Sequence, residues 1–348
     1  VRFHIPSLPG RPVLREFSSC AYTAKLVKFR TMMRARGHEV IIYGGEGADV
    51  ECYPESDPLP FDISLWGVPN AHAAQEINAR REEGDYLLLV AGRCQEAIAQ
   101  AVPLVAVEAF IGYGGVFADF RVYESYAWQA VVSAAGHPDP HALDGNAYHA
   151  VIPNYFDVGD FPFGEGSDDH LLYVGRLIER KGVEVAVNVA RATGDPLFLA
   201  GEGDYRPGEG EAGIIYLGPV GPEQRANLMR DARCLLAPTQ YVEPFGGVVV
   251  EAALCGTPAI TTDWGAFPET VAHGETGYRC RRLGEFIWAA EHAGDLERAA
   301  CRIRAKRLYS TEAIAPRYES YFEHLATLKS GGWYDPTPAP PRLAAPGA

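Results

Sequence analysis

Two glutamates, two cations and a pair of glycines are the residues of this chain whose spacing could do chemistry. Glu243 and Glu251 stand with seven residues between them in A-P-T-Q-Y-V-E-P-F-G-G-V-V-V-E-A-A-L-C-G, Ala237–Gly256. Cys234–Ala237 has the short apolar pattern of a buried strand, Pro238 ends it, and a polar loop carries Glu243. Gly246 and Gly247 then open an apolar helix that runs to Cys255 and stops at Gly256. The first N–H groups of a helix have no intrahelical partner, and without a Cβ at the two glycines an anion or hydroxyl can approach them closely. Glu251, in the second turn, can point back toward the same crevice. Each glutamate also has a plain reading: Glu251 as a solvated helix residue, Glu243 as a carboxylate favoured by the positive end of the helix dipole. The cations lie in G-R-L-I-E-R-K-G, Gly175–Gly182, between a strand and a helix start. A guanidinium forks onto phosphate oxygens and an ammonium adds a point charge, so Arg176 and Lys181 suit a leaving diphosphate.

These residues need a frame to bring them together. In the C-terminal half, strands His170–Val174, Pro196–Ala200, Ile214–Leu217 and Cys234–Ala237 alternate with helices Val183–Ala192 and Pro222–Ala232. Pro222 takes the favoured first-turn position of its helix. A closing strand lies in C-G-T-P-A-I-T-T. Such alternation predicts a parallel, doubly wound sheet whose ligands bind outside the carboxyl ends of the strands. The N-terminal half has the same rhythm. Strand Val1–Ile5 leads through a Pro-rich loop to a helix capped by Ser18 or Ser19 and ending near Arg36, followed by strand His38–Tyr43. Asp62–Trp66, Tyr86–Val90 and Leu104–Glu108 read as further strands, with a polar helix over Ala71–Glu83. The loop Phe110–Gly115 holds three glycines at a strand's carboxyl end, and Arg121, Tyr123, Glu124, Tyr126 and Trp128 follow, suited either to a sugar or acceptor surface or to core packing. Helices over Gly284–His292, Leu296–Leu308 and Glu312–Leu328 precede a Pro/Gly-rich tail, residues 331–348, expected to be disordered.

A chain of 348 residues suits two domains. Its net charge of −14 argues against wholesale coating of nucleic acid. The charge is uneven. Arg2, Arg11, Arg15, Lys25, Lys28, Arg30, Arg34 and Arg36 face a single acid, Glu16, before His38, leaving about −21 for the remainder. That basic stretch is either an ordinary solvated helix face or a surface for an anionic acceptor, a nucleic-acid backbone or an acidic membrane. Tyr22, Leu26, Phe29 and Met33 form its apolar stripe, which the core requires. Seven scattered cysteines without C-x-x-C fit a reduced compartment rather than a disulfide frame or zinc site, and no apolar run reaches membrane-spanning length. The expectation is a cytoplasmic enzyme.

The E-x7-E spacing with P-F-G after the first glutamate, the G-R-x-x-x-x-K-G loop and the C-G-T-P-A-I-T-T strand resemble the retaining family 4 glycosyltransferases. Val151-Ile152-Pro153-Asn154 resembles their interdomain signature. Thr262-Asp263-Trp264-Gly265-Ala266-Phe267-Pro268-Glu269 resembles their G-G-x-P-E, with Ala266 for the second glycine, and G-E-T-G at Gly274–Gly277 matches G-x-T-G. The likeness is dense from Val151 to about Tyr278 and thin before it, apart from R-G-H-E-V at Arg36–Val40.

The resemblance implies the GT-B fold, two Rossmann-like doubly wound domains facing a cleft. Residues 1–155 would form the acceptor domain, with the helix over 312–330 packing back on it, and 156–311 the nucleotide-sugar donor domain. It implies that Arg176 and Lys181 bind the donor diphosphate, Glu251 the ribose hydroxyls, and Glu243 the donor sugar near the reacting face. Phe245, Gly246, Gly247 and Val248, with Gly175, complete the donor site. Gly218-Pro219-Val220 would cradle the base through backbone groups. The usual glycine pair after the first strand is reduced here to Gly10. Where members carry a histidine facing the sugar, Glu108 or Tyr113 stands, with Gly114 and Arg121 nearby.

The reaction implied is transfer of a hexose-type sugar from a UDP- or GDP-linked donor to an acceptor hydroxyl, with retention. Charge on the leaving group would be met electrostatically, with neither metal nor cofactor, since no D-x-D occurs. The donor phosphate itself would take the acceptor proton. A small-molecule or glycan acceptor is favoured over nucleic acid. The rival readings are a sugar-nucleotide epimerase of the same architecture and a non-catalytic nucleotide-sugar binding protein.

Overall fold

A computed structural model describes residues 1–14, 21–54, 56–135, 148–165 and 170–328. Ser18 and Ser19, Arg15 and Glu16, the acidic pair Asp168-Asp169 and the tail 331–348 lie outside the described residues. The strands are β1 (Arg2–Pro6), β2 (Glu39–Gly44), β3 (Val50–Glu51), β4 (Tyr86–Leu89), β5 (Val105–Ile111), β6 (Phe120–Tyr123), β7 (His149–Val151), β8 (Leu171–Val174), β9 (Leu197–Ala200), β10 (Ile214–Gly218), β11 (Cys234–Ala237), β12 (Ala259–Thr262) and β13 (Gly277–Cys280). The helices are α1 (Ala21–Arg34), α2 (Gly67–Asn78), α3 (Glu96–Ala101), α4 (Tyr126–Ala135), α5 (Val183–Thr193), α6 (Pro222–Asp231), α7 (Gly247–Leu254), α8 (Phe267–Thr270), α9 (Leu283–Glu291), α10 (Arg298–Tyr309) and α11 (Thr311–Leu328). The chain divides into two units. One takes Val1–Glu124, Gln129–Tyr155 and the segment from Thr311, the other Ser125–Trp128 and Phe156–Ser310.

The first unit is built on a parallel sheet in the order β3-β2-β1-β4-β5-β6-β7. Successive side chains of β4 point to opposite faces, and both faces are apolar. Leu88 and Val90 join one core with Phe3, Ile5, Leu26, Phe29, Tyr318 and Phe322, while Leu87 and Leu89 join another with Tyr43, Ile77 and Ile98. The stripe expected on the first helix is present, with Leu26, Phe29 and Met33 fully buried.

Two expectations for this unit are corrected, and the basic stretch is now placed. Asp62–Trp66 is not a strand but a short 3₁₀ turn, Ile63–Leu65, because the Asp62 carboxylate accepts from the Ser64 N–H at 3.0 Å and the Trp66 indole donates to the Pro60 carbonyl. Strand β5 runs on past Glu108 through a bulge, so Phe110 (φ 56°) and Ile111 are buried sheet residues rather than loop. The basic stretch is a partly solvated face, with Arg34 and Arg36 exposed, whose side chains also find partners within the unit. Lys25 is buried against Glu124, Lys28 donates to the Tyr155 carbonyl, and Arg34 pairs with Asp49 at 2.8 Å. Arg36 forks onto Glu319 with bonds of 2.7 and 2.6 Å.

The second unit has a six-stranded parallel sheet in the order β10-β9-β8-β11-β12-β13. Strands β8 to β11 begin and end within a residue or two of the positions read from the sequence, β11 matching residue for residue, while the sequence reading has no strand at β13. One face buries Val183, Ala186, Val187 and Phe286, the other Val249, Val250, Leu254 and Phe267. Among the described residues no helix is long and apolar enough to cross a membrane.

Candidate functional site

Strand order decides where the site of the second unit forms. After β8 the chain winds outward through β9 and β10, then returns to place β11 on the other side of β8. The loops leaving β8 and β11 therefore part in opposite directions and open a crevice at the carboxyl edge, the place where doubly wound sheets receive ligands. Gly175–Gly182 leaves β8 and Pro238–Gly246 leaves β11, so residues some sixty positions apart in sequence become neighbours.

The pair that results is close. Lys181 Nζ lies 2.6 Å from Glu243 Oε2, with the two side chains 19% and 13% exposed. A backbone crossing permits this approach. Gly182, at φ 77°, lies so near the end of β11 that a Cβ there would stand 2.0 Å from the Pro238 carbonyl oxygen. The Gln240 N–H also donates to the Arg180 carbonyl at 2.9 Å. Arg180 and Lys181 both sit over the Tyr241 ring, 4.8 and 5.0 Å from its centre, a cation–π arrangement that steadies the loop. Arg176 is exposed at the start of the same loop, its carbonyl accepting from the Tyr173 hydroxyl at 2.9 Å. Burial pushes that phenol's pKa up, so it stays a donor. Gly175 donates its N–H to Ala200 and lies under the loop that leaves β9.

The far side of the Glu243 loop is held from β12. Ala266 N–H donates to the Glu243 carbonyl at 3.0 Å and the Trp264 indole to the Tyr241 carbonyl at 3.3 Å. Gly246 is the N-cap of α7 at φ 76° and ψ 50°, a left-handed residue whose Cβ would strike the Phe267 ring at 2.7 Å. The helix axis thus begins at Gly247 and Val248, both partly exposed, with Glu243 three residues before the cap. Phe245 does not face this opening. It is 3% exposed, stacks on Phe156 and meets Tyr309 edge-on, so its side chain is an anchor for the turn.

Glu251 is not a free helix residue. Its Oε2 lies 2.9 Å from Arg225 Nε, on the first turns of α6. Gly218 and Val220 lie just upstream in the loop joining β10 to α6, both partly exposed, with Gly218 at φ 71°. Arg225 and Tyr241 are the residues that sequence reasoning missed. Arg225 had one available signal, its place on the turn of α6 immediately after the loop assigned to the base.

The candidates of the first unit have different surroundings. Glu108 is fully buried, and its Oε2 accepts from the N–H groups of Phe117 and Ala118 at 2.8 and 2.9 Å, bracing the turn that leads to β6. Burial raises its pKa above the usual carboxylate range against the pull of those N–H groups. Tyr113 packs on Tyr22 with the rings tilted at 58° and their centres 5.9 Å apart, and Gly114 is exposed beside it. Arg121 donates from Nε to the Ala118 carbonyl. Gly10 lies against the Asp57 backbone, where a Cβ would stand 2.3 Å from the carbonyl oxygen, so close packing accounts for it. Among the described residues no cluster of His, Cys, Asp and Glu could hold a metal ion.

Comparison with known proteins bears on the same region. Residues 168–301 match the family model described as glycosyl transferases group 1. The D-inositol 3-phosphate glycosyltransferase of Rhodococcus erythropolis is 33% identical over 295 residues, 75% of this chain and 61% of that protein. The chain spans between 32% and 61% of the length of the curated relatives it matches. AviGT4, a glycosyltransferase involved in avilamycin A biosynthesis, superposes with a TM-score of 0.69 at 22% identity over 94% of this chain and 98% of its own. Anabaena HepE in complex with UDP-glucose superposes with a TM-score of 0.67 at 16% identity over 94% of this chain and all of its own.

Proposed function

Because residues 168–301 match the family model of the group 1 glycosyl transferases and the chain has the GT-B fold, we propose that this protein transfers a hexose-type sugar from a UDP- or GDP-linked donor to an acceptor hydroxyl with retention of configuration. The observation that carries the reading is the Lys181–Glu243 pair, 2.6 Å apart at the reversal of strand order and three residues from the start of α7. A cation, a carboxylate and a helix N-terminus converge there on one crevice.

In this reading the donor diphosphate lies between Arg176, Lys181 and the N–H groups at Gly247 and Val248, which stabilise charge as the sugar departs. Lys181 bonds Glu243 through one of its three N–H donors, leaving the others for phosphate oxygens. Glu243 accepts from hydroxyls of the donor sugar, Glu251 from the ribose, and the backbone of Gly218–Val220 borders the base. The leaving phosphate takes the acceptor proton, and the reaction proceeds without a metal or cofactor. HepE was captured with UDP-glucose, which favours UDP as the nucleotide to test first. A small molecule or glycan is the acceptor class we favour, since Lys25, Arg34 and Arg36 pair with carboxylates of their own unit. A cytoplasmic site of action belongs to the same proposal.

The test is a donor-depletion assay with UDP- and GDP-sugars and a panel of sugar and polyol acceptors, read by nucleotide chromatography and by NMR of the anomeric proton. Free nucleoside diphosphate with a product of the donor's anomeric configuration supports the proposal. Conversion of the donor to its epimer would make the protein an epimerase. Saturable binding without turnover would make it a nucleotide-sugar binding protein.

A further inference from the structure

We propose that Arg225 is a positioning residue that holds Glu251 in the orientation needed to accept hydroxyl groups of a donor ribose, an assignment that rests on the function proposed above. The ion pair joins two elements that would otherwise meet the nucleoside separately. Arg225 stands on the helix that follows the Gly218–Val220 loop, and Glu251 stands on the helix that follows the phosphate-facing turn. Their 2.9 Å contact fixes the distance between the two borders of one nucleoside site.

The contact is not what holds α6 to α7. Farther along, the Cys255 thiol reaches the Ala226 carbonyl at 3.5 Å and the Thr257 hydroxyl donates to the Met229 carbonyl. Ala226 and Met229 are buried there with Val250, Ala252 and Leu254. Those contacts belong to the closed end of the helix pair, whereas Arg225 and Glu251, 22% and 15% exposed, lie toward the open end.

The chemistry of the pair is specific. Arg225 Nε engages Glu251 Oε2, leaving Oε1 with its lone pairs for a hydroxyl donor. A glutamate side chain rotates about three bonds, and a fixed partner removes that freedom before the ligand arrives. The guanidinium also cancels the carboxylate charge, which would otherwise repel a ligand carrying a diphosphate.

The experiment is isothermal titration of the full chain with UDP and 2′,3′-dideoxy-UDP, and with the corresponding GDP pair, using the parent protein, Arg225→Ala and Arg225→Lys. The parent is expected to bind the ribonucleotide at least ~10-fold more tightly than its dideoxy form. Arg225→Ala should weaken the ribonucleotide by about tenfold while leaving the dideoxy form within about twofold, bringing the ratio near one. Arg225→Lys should recover part of the preference, and it keeps the test available if the alanine variant folds poorly. Equal weakening of both ligands, or an unchanged ratio, would overturn the assignment and leave Arg225 a structural tie while nucleotide binding stands. Binding of neither UDP nor GDP by the parent would overturn the donor-site reading and this assignment with it.

Discussion

Replacing Lys181 by alanine separates two roles that the 2.6 Å contact combines. The Glu243 side chain is only 13% exposed, so removing its partner leaves a carboxylate largely out of water. Stranding a buried charged acceptor costs about 1–3 kcal/mol. For a unit of this size such a loss corresponds to a fall in Tm of roughly 2–10 °C. Glu243→Gln alone reverses the problem, leaving the Lys181 ammonium without its counter-charge. In the double variant neither charge is stranded, so the two losses are not additive. The stability cycle should close with a coupling of at least ~1 kcal/mol. Turnover behaves differently. Loss of one donor aimed at developing charge costs roughly 10²–10³ in kcat, and removing Glu243 as well restores none of it. Thermal unfolding of the four proteins gives the first quantity, and initial rates of nucleoside diphosphate release give the second. Additive Tm losses would show that the pair is not coupled. Recovery of turnover in the double variant would show that Lys181 acts only by neutralising Glu243.

The remaining expectations concern neighbouring features. Gly182→Ala places a methyl group 2.0 Å from the Pro238 carbonyl oxygen at φ 77°, and should lower stability by about 2 kcal/mol or more; an unchanged Tm would mean that the loops do not cross as described. Glu319 bonds Arg36 and His38, which hold its carboxyl below the usual 4.5 despite partial burial. A lowered folded pKa gives stability that is present above pH 4.5 and lost as pH falls through the folded value, so Glu319→Gln should flatten the acid limb of the Tm profile. Glu108 has the opposite sign. Burial raises its pKa, so ionisation costs stability as pH climbs above 4.5. Glu108→Gln retains an oxygen for Phe117 and Ala118, and its Tm at pH 8 should equal or exceed the parent's; a clear fall would refute this account. EDTA should leave nucleotide release unaltered, and loss of activity restored by a divalent ion would refute the metal-free mechanism.

The second unit is most legible in sequence where a strand is short, apolar and buried on both faces, as Leu171–Val174 and Cys234–Ala237 are. Pro238 also marks where Cys234–Ala237 ends. The first unit is harder to read at its margins. β3 has two residues and β7 three, too few for a period to appear. Asp62–Trp66 carries apolar residues at strand spacing, yet the Asp62 side chain competes for the backbone and turns the segment tightly. Charge patterning also misleads where partners are remote. Nothing near Lys25 or Arg36 announces Glu124 or Glu319, which topology alone brings close. The site divides in the same way. Lys181 and Glu243 were identifiable by residue type and spacing, but their bond to each other was not. Arg225 had only its place after the base loop to mark it, and its partner Glu251 lies on another helix.

The stitching of the loops around Glu243 has a consequence for how this protein can change. Gln240 is tied to Arg180 and Ala266 to Glu243 by main-chain atoms on both sides, and main-chain bonds do not depend on side-chain identity. Substitutions along these loops can therefore alter what projects into the crevice while the curve of the chain is preserved. Gly182 and Gly246 are the fixed points of that frame, since a Cβ at either would meet a neighbouring carbonyl or ring. Directed libraries that randomise exposed residues of the Gly175–Gly182 and Pro238–Gly246 loops, and leave Gly182 and Gly246 alone, would on the proposed function sample new donor preferences on an intact scaffold.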